Sequence, residues 1–372
     1  MNRINRRNWL KLTGLAGSSA MVGPLTGNSI SDLITEGKGQ VNGVARLNAN
    51  ENPFGPSEKV RDAIIAGFDE ACRYPFAKVR ELVEVLAKKE GVMPEQIVIT
   101  GGSTEGLKAT GLTYGVHGGE VISPEPTYLS LLSYAEQFGA YINRVPLNDD
   151  LEFDLDEIEK RVTSQTRLVF ICNPNNPTGT IVPKDKIRDF CWSLSKKTLV
   201  FSDEAYGDFI VDSEYPSMIE LVKEGANVIV SRTFSKVYGL AGMRIGYLIA
   251  RPDIARRIQP NVMANTNMLA IYAALEALKD DSFYQFSLQK NLEGKKYIYS
   301  VLDDLGLRYL KSHTNFVFFH TGRPIQGLVS AMQEQSVQIG RPFPPLTDWC
   351  RISTGKMEDL QRFGDALKAV MS

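Results

Sequence analysis

The interior of the chain contains a series of short apolar runs, each closed by a polar or glycine-rich turn. The runs cover residues 96–100, 119–123, 166–172, 198–202 and 227–231. Helical patterns lie between several of them, for example over residues 184–195. Continuous apolar strands that alternate with helices indicate a parallel sheet covered on both faces. The sequence therefore predicts an α/β fold with a mainly parallel central sheet and helices on both faces.

The rest of the chain predicts a smaller α+β unit. A long helical pattern covers residues 282–305, and residues 315–319 and 351–354 then have the pattern of strands. The small unit therefore combines both ends of the chain around an interior large domain. We expect the following division: a signal-like segment over 1–40, a large domain over 75–284, and a small domain built from 41–74 with 285–372.

The N-terminal segment has a different character from the rest. Residues 5–11 read NRRNWLK, and residues 12–22 are weakly apolar and rich in small side chains. Paired arginines followed by an aromatic residue, a leucine and a lysine resemble a twin-arginine export signal. A solvated basic helix end would have a similar composition. We expect export to the periplasm by the twin-arginine route, with a cytoplasmic location as the alternative.

Composition excludes several classes of partner. The chain has 372 residues and a net charge of −1, which gives no reason to expect nucleic acid or an anionic membrane. No apolar run approaches the roughly 20 residues that a membrane-spanning helix needs. The cysteines are scattered, without a CxxC pair or a nearby histidine group, so we expect free thiols and no metal site.

The residues that follow the apolar runs are the first candidates for a binding site, because open α/β sheets bind ligands at the carboxyl ends of their strands. After the first run, GGSTEG (101–106) opens a helix, where backbone N–H groups favour an anion. Ser103 and Thr104 add hydroxyl donors, although a tight turn alone would also explain the glycines. After the second run, Tyr128 could stack on a planar ring or belong to the core.

The third and fourth runs end in constrained polar groups. CNPNNPTG (172–179) holds several asparagines, including Asn176, between prolines that rigidify the loop. The fourth run ends in DEAY (203–206), where Asp203 needs a partner because an unpaired buried charge is costly. A cationic ring nitrogen, a structural arginine or a helix terminus could supply that partner.

The fifth run leads into RTFSKVYGLAGMR (232–244). Thr233, Ser235 and Arg244 would form an anion clamp around Lys236, and a desolvated lysine is a usable nucleophile toward a carbonyl. The strand ends together describe a cofactor with a phosphate, an aromatic ring with a protonated nitrogen, a phenolic oxygen and an aldehyde. Pyridoxal phosphate has these groups.

Four motifs carry a family resemblance: LNANENPFGP (47–56), NPNNPTG (173–179), DEAY (203–206) and SKVYGLAGMR (235–244). From about residue 45 to its end, the sequence resembles the fold-type I pyridoxal-phosphate aminotransferases, and within them the histidinol-phosphate aminotransferase branch. The resemblance implies that Lys236 forms the Schiff base with the cofactor and carries the proton. It also implies that Asp203 pairs with the pyridinium nitrogen, which keeps the ring an electron sink.

The resemblance assigns the remaining cofactor contacts as well. Tyr206 and Asn176 would hydrogen-bond the phenolic oxygen, and Tyr128 would stack on the ring. The phosphate would be held by Ser103, Thr104, Thr233, Ser235 and Arg244. Tyr74 matches a tyrosine that in this family reaches the phosphate of the neighbouring subunit. A homodimer with active sites shared across the interface is therefore implied.

Substrate contacts are implied in the same way. Arg351 matches the arginine that binds the α-carboxylate, a bidentate contact that lysine makes poorly. Asn50 and Asn315 would line the same pocket. Arg341, in GRPFPP (340–345), matches in position a second substrate-side arginine that could meet a phosphate, although its proline-rich setting departs from the family's polar one.

These residues predict an aminotransferase. It would move an amino group between an amino acid, or an amino phosphate such as histidinol phosphate, and a 2-oxo acid. A decarboxylase or lyase of the same fold, like the threonine-phosphate decarboxylases, would share nearly every cofactor residue and is the alternative. A non-catalytic binding module on this fold is disfavoured because Lys236 is intact and the first 45 residues hold a signal-like segment instead of the DNA-binding region that regulators with this fold carry.

Overall fold

A seven-stranded sheet forms the centre of the computed structural model, which describes residues 43–371. The strands of the described chain are β1 (Ala45–Arg46), β2 (Ile97–Thr100), β3 (Glu120–Glu125), β4 (Tyr141–Pro146), β5 (Thr166–Cys172), β6 (Leu199–Asp203), β7 (Val228–Thr233), β8 (Gly246–Ala250), β9 (Phe316–His320), β10 (Val337–Gln338) and β11 (Trp349–Ser353). The twin-arginine-like segment lies outside the described residues, so the predicted export stays a prediction.

The α-helices of the described chain are α1 (Glu58–Ala66), α2 (Phe76–Glu90), α3 (Ser103–Gly115), α4 (Ser130–Gln137), α5 (Leu155–Lys160), α6 (Lys184–Ser195), α7 (Ile219–Lys223), α8 (Pro252–Ile258), α9 (Met268–Ala277), α10 (Asp281–Asp304), α11 (Ile325–Glu334) and α12 (Met357–Met371). Short 3₁₀ segments cover Gly67–Glu70, Pro94–Gln96, Gly207–Phe209, Ala241–Met243 and Gln259–Asn261. Among residues 43–371, no helix is both long and apolar enough to cross a membrane.

The central sheet has the strand order β2-β8-β7-β6-β5-β3-β4. Pairing is parallel except at β8, which runs antiparallel to both of its neighbours. The predicted mainly parallel sheet is therefore confirmed. Two strands, β4 and β8, lie outside the apolar runs from which the sheet was predicted.

Both faces of the sheet are buried because side chains alternate along each strand. In β5, Val169 and Ile171 point into one apolar cluster, while Leu168 and Phe170 belong to the cluster on the opposite face. Helices α2, α6, α7 and α9 contribute to the first cluster, and α3, α4 and α8 contribute to the second. Helix layers on both sides explain why these strands are continuously apolar in the sequence.

A third apolar cluster belongs to the chain's ends. It joins α10, α11 and α12 to the antiparallel pair β9–β11 and the parallel pair β1–β10. The division expected from sequence grouped residues 41–74 with this part. Helix α1 instead packs against α9, and its Val60 lies in an apolar cluster of the central sheet.

Candidate active site

The carboxyl ends of the parallel strands meet at one edge of the sheet. Cys172 at the end of β5 pairs in register with Asp203 at the end of β6, and Asp203 pairs with Ser231 in β7. On the other side, Thr233 at the end of β7 pairs with Gly246 of β8, which pairs with Thr100 of β2. The turns that follow these strands are therefore neighbours in space, although they are distant in sequence.

A cavity of about 340 Å³ opens at this edge. It is lined by most of the residues predicted to bind a cofactor: Ser103, Thr104, Tyr128, Asn176, Asp203, Tyr206, Ser235, Lys236 and Arg244. Of the residues predicted to bind a substrate, Asn50, Arg341 and Arg351 line it as well. One cavity thus brings together groups from the central sheet and from both ends of the chain.

Arg244 organises one end of the cavity. Its Nη1 donates to Ser235 Oγ at 3.2 Å and to the Ala241 carbonyl at 2.7 Å, and its Nη2 donates to the Gly101 carbonyl at 3.3 Å. Gly102, with φ of 84°, precedes helix α3, and a Cβ at this position would collide with the guanidinium. The cation is therefore fixed at the N-terminus of a helix, where an anion is favoured.

Lys236 lies between this end and the rest of the cavity. Its Nζ donates to the Asn50 carbonyl at 2.9 Å and lies 5.3 Å from the centre of the Tyr206 ring. Burial, together with the nearby charges of Arg351 and Arg244, lowers the pKa of Lys236 to about 8. A substantial fraction of the amine is therefore neutral near pH 8 and able to react as a nucleophile.

Asp203 is a buried carboxylate that forms no ion pair with any residue of the described part of the chain. It is 2% exposed, and its Oδ1 accepts from the Ala205 backbone N–H at 3.3 Å. Burial raises the pKa of Asp203 to about 6. The adjacent Glu204, in contrast, pairs with Arg232 at 2.9 Å. Asp203 is therefore placed to pair with a cationic group of a ligand.

Tyr206 presents its hydroxyl among amide donors. Asn50 Nδ2 donates to Tyr206 Oη at 3.0 Å, and Asn176 Nδ2 donates to it at 3.4 Å. Burial raises the pKa of Tyr206, which keeps the phenol protonated and able to donate. Across the cavity, Tyr128 Oη lies 3.4 Å from Thr104 Oγ1 at the start of α3.

Arg351, on strand β11, lines the part of the cavity where the substrate is predicted to bind, which we call the substrate side. Its Nη1 donates to Asn176 Oδ1 at 2.7 Å and its Nη2 donates to the Asn48 carbonyl at 2.8 Å. Its Nε is buried and has no hydrogen-bond partner among the described residues. An unpaired buried donor on a charged group costs free energy, so a bound anion would stabilise it.

Arg341 has a more open environment than Arg351. Its Nη1 donates to the neighbouring Pro342 carbonyl at 2.8 Å, and its guanidinium lies 4.5 Å from the centre of the Phe343 ring. The guanidinium of Arg351 lies 4.9 Å from the same ring. Phe343 therefore contacts both a buried arginine and an exposed one on the substrate side.

The remaining predicted residues lie outside the cavity lining. Thr233 is buried behind Ser235, with 3.0 Å between the two hydroxyl oxygens. Asn315 Nδ2 donates to the Asn50 carbonyl at 3.0 Å, while its buried Oδ1 has no partner among the described residues. Tyr74 is 76% exposed and stacks on Phe76, with 5.8 Å between ring centres.

Several lining residues were not predicted from sequence. They are Ala49, Glu51, Thr127, Ala205, Ala241 and Phe343. The motifs 47–56 and 203–206 contained Ala49, Glu51 and Ala205, but no pattern distinguished them from their neighbours. Thr127 Oγ1 donates to Asn175 Oδ1 at 2.7 Å, which fixes the asparagine-rich loop against the turn after β3.

The residues fit the cofactor predicted from the sequence. A fixed arginine and hydroxyls at a helix N-terminus suit a phosphate, and an unpaired buried carboxylate suits a cationic ring nitrogen. Between them lies Lys236, an amine with a lowered pKa. Arg244 and Asn50 both have left-handed backbone conformations, with φ of 56° and 55°, which are uncommon outside glycine and concentrate at functional sites.

Comparisons with known proteins agree with this geometry. A family model described as aminotransferase class I and II matches residues 42–367. A histidinol-phosphate aminotransferase from Moorella thermoacetica is 37% identical over 336 residues, which cover 89% of this chain and 86% of the relative. The structure of histidinol-phosphate aminotransferase from Sinorhizobium meliloti in complex with pyridoxal-5'-phosphate superposes with a TM-score of 0.82 at 29% identity, covering 96% of this chain and 97% of that one.

A third comparison concerns the alternative reaction. L-threonine-O-3-phosphate decarboxylase from Porphyromonas gingivalis superposes with a TM-score of 0.75 at 21% identity, covering 88% of this chain and 99% of that one. A similarity at this level of identity shows a shared fold and leaves the reaction open.

Proposed function

Because this chain belongs to the aminotransferase class I and II family and is a pyridoxal-phosphate-dependent aminotransferase, we propose that it exchanges amino groups between an anionic amino donor and a 2-oxo acid. The observation that carries this proposal is the unpaired Nε of Arg351 in the cavity that also contains Lys236 and Asp203. When bound, pyridoxal phosphate supplies an aldehyde that condenses with amines and a ring that accepts electron density.

The residues on the cofactor side of the cavity would bind and orient pyridoxal phosphate. Arg244, Ser235 and the first turn of α3 would hold the phosphate, and Asp203 would hold the ring nitrogen in its cationic form. Tyr206 and Asn176 would contact the phenolic oxygen, and Tyr128 would stack on the ring. Lys236 Nζ would carry a proton between Cα of the donor and the cofactor, which suits an amine whose pKa is about 8.

The substrate side selects for negative charge. Arg351 would bind the carboxylate of the 2-oxo acid through Nε and Nη2, a bidentate geometry that fixes the reacting carbon. Arg341 would meet a second anionic group, which could be a side-chain carboxylate or a phosphate. Histidinol phosphate, the substrate in the name of the Moorella thermoacetica relative, is the first donor to test.

The test compares amino donors that differ in their anionic groups, for example in the presence of a phosphate. Holoenzyme is incubated with histidinol phosphate, histidinol, and a panel of amino acids, and the pyridoxamine form of the cofactor is measured in each half-reaction. We expect conversion with at least one anionic donor and formation of the matching carbonyl product. Release of carbon dioxide from the amino acids without an oxo acid would contradict transamination and support the decarboxylase alternative.

The proposed assembly is a homodimer with shared sites. Several large apolar side chains around α1, α2 and the turn before α9 are exposed: Ile65, Phe68, Tyr74, Phe76 and Met263. Exposed apolar groups concentrated on one region support an interface with a second copy. Tyr74, at 76% exposure, would then be buried by the partner and reach the partner's phosphate.

Mixed subunits test this sharing. A Lys236→Ala subunit and a Tyr74→Ala subunit are each impaired, but their hybrid contains one site with an intact lysine and an intact tyrosine. We expect mixing and reassembly to restore activity toward that of one site per dimer. Activity that stays at the sum of the two separate variants would contradict a shared site.

Export remains a proposal from the sequence. Replacing Arg6 and Arg7 with lysines in C-terminally tagged protein should move it from the periplasmic to the cytoplasmic fraction. An unchanged cytoplasmic signal in both proteins would support the alternative location.

A further inference from the structure

A second cavity, of about 680 Å³, lies outside the active site. Its walls come from helix α10, from the residues after the 3₁₀ turn that follows β6, and from the segment before β9. None of its lining residues lines the first cavity. The volume is in the range of cavities that hold small organic ligands.

One side of this cavity is apolar. Phe209, Val211, Leu292 and Tyr299 contribute to the lining. Val211 and Leu292 are among the exposed large hydrophobic side chains of the described chain, at 72% and 41%. These side chains are available to pack against the apolar body of a ligand.

The other side is cationic. Lys295 is 5% exposed, and its Nζ donates to the Ser312 carbonyl at 2.9 Å. Lys296 and Lys311 also line the cavity. His313 lines it too, but burial and the charges of Lys295 and Lys311 lower its pKa to about 4, so its ring is neutral. Within residues 43–371, no ion pair is formed by Lys295, Lys296 or Lys311. Burial and the charge of Lys311 lower the pKa of Lys295 to about 8, as expected for a buried cation that lacks a carboxylate.

The carboxylates of the same lining are already engaged. Asp212 pairs with Lys184 at 2.9 Å, and Asp304 pairs with Lys368 at 2.9 Å. Asp303 accepts a hydrogen bond from Tyr309 Oη at 3.0 Å. Two of these three carboxylates thus pair with lysines outside the lining, and among the described residues none of the three forms an ion pair with Lys295, Lys296 or Lys311.

From this combination we propose that the second cavity binds a small carboxylate with an aromatic or aliphatic body. The carboxylate would lie at Lys295 and Lys311, where it would supply the missing counter-ion. The aromatic or aliphatic part of the ligand would pack against Leu292, Tyr299 and Val211. Lys295 is buried without a carboxylate partner among residues 43–371 and lies beside an apolar wall. This combination favours a carboxylate with an apolar body over neutral apolar molecules and over small hydrophilic anions.

The lysine side of this cavity is connected to the active site by a short series of hydrogen bonds and neighbouring residues. Ser312, the partner of Lys295, is followed by His313, whose backbone N–H donates to the Gly179 carbonyl at 2.8 Å. Gly179 closes the asparagine-rich loop that carries Asn176, the acceptor for Arg351. Asn315 contacts the same Asn50 carbonyl that accepts from Lys236. A ligand bound at Lys295 would therefore rest on the segment that supports the substrate arginine.

Calorimetric titration of the holoenzyme tests the proposal, with 2-naphthoate as probe and its neutral amide as matched ligand. We expect the carboxylate to bind at least about tenfold more tightly than the amide, because a hydrogen bond between charged groups is stronger than one to a neutral group. Lys295→Met should weaken 2-naphthoate by a similar factor. Lys290→Met, on the same helix but outside the lining, should leave the affinity unchanged.

Two further variants keep the test decisive. Leu292→Glu places a negative charge on the exposed wall and should also weaken 2-naphthoate by about tenfold, even if Lys295→Met fails to fold. Arg351→Gln removes the carboxylate contact of the active site and should leave this binding intact. The proposal is overturned if 2-naphthoate does not bind, if Leu292→Glu leaves its affinity unchanged, or if Arg351→Gln abolishes its binding.

Discussion

Two lysines of this protein, the half-buried Lys236 and the buried Lys295, have pKa values lowered to about 8 and donate to a backbone carbonyl at 2.9 Å, yet the side chains around them differ. Lys236 follows β7 at the sheet edge, within a cavity that also contains a carboxylate, two fixed arginines and several hydroxyls. Lys295 lies on α10 beside apolar side chains and other lysines. Burial lowers both pKa values, but only Lys236 has partners for each group of a cofactor. A perturbed pKa therefore marks a candidate, and the convergent groups around it indicate the chemistry.

The largest expected effect follows from removing Lys236. Lys236→Ala deletes both the attacking amine and the group that carries the proton at Cα. We expect kcat to fall by on the order of 10⁴-fold, measured as oxo-acid formation in steady state. The reconstituted variant should still contain bound pyridoxal phosphate. Amino-group transfer at an undiminished rate would rule out the catalytic role of Lys236.

Asp203→Asn tests the buried carboxylate of the first lysine's cavity. Loss of the charge opposite the ring nitrogen should lower kcat by about 10²–10³-fold, as for other preorganised electrostatic groups. Activity of the holoenzyme across a pH series is the measurement. An activity within threefold of the unsubstituted protein would show that Asp203 does not contact a cationic ring.

Asp203→Asn lowers the activity of the holoenzyme, but it should stabilise the cofactor-free protein at pH values above about 6. Burial raises the pKa of Asp203 from 3.8 to about 6, so the folded state binds the proton more tightly than the unfolded state. Its contribution to stability therefore decreases as the pH rises from about 4 to about 6. Asp203→Asn should remove roughly 3 kcal/mol of this decrease, measured by urea unfolding of the cofactor-free protein. Identical pH slopes for both proteins would contradict an unpaired buried carboxylate.

Arg351→Lys examines the substrate side. Lysine keeps the charge but loses the planar fork, so we expect kcat/KM for the 2-oxo acid to fall about 10–100-fold. Most of the loss should appear in KM, with the absorbance of the bound cofactor unchanged. A fall in kcat alone, at constant KM, would place Arg351 in the chemistry instead of in binding.

Lys295→Met provides the matching control for the second lysine. The pKa of Lys295 is lowered from 10.5 to about 8, so the folded state binds fewer protons between these values. Stability should rise with pH across this window by roughly 3 kcal/mol, and the methionine variant should lack this rise. Lys290→Met, at an exposed site, should keep it. Parallel curves for Lys295→Met and the unsubstituted protein would contradict a buried charged lysine.

The cofactor side of the cavity could be predicted from sequence because its residues follow consecutive apolar runs. Strand β5 coincides with the predicted run 166–172, and α6 with the predicted helix 184–195. Parallel strands bring their carboxyl ends to one edge, so order along the chain predicts proximity in space. Thr233 is buried and hydrogen-bonds the hydroxyl of Ser235, which lines the cavity, and its predicted place near the phosphate stays a prediction.

The missed elements lack the periodicity on which that prediction depended. In β4, at the edge of the sheet, only Ile142 and Val145 are buried, a spacing atypical of a strand. Strand β8 directly follows the glycine-rich stretch and runs antiparallel, which the alternating pattern does not predict. Phe343 reaches the cavity from a proline-rich loop whose path depends on tertiary contacts with β9 and β11. Loops of this kind carry no periodic signal.

The most direct measurement is to reduce the holoenzyme with borohydride, which fixes the cofactor to the amine that holds it, and to identify the modified lysine by peptide mass spectrometry. The expected result is a single pyridoxyl adduct on Lys236. Modification of Lys295, or of any lysine outside the sheet-edge cavity, would contradict the assignment of that cavity as the active site.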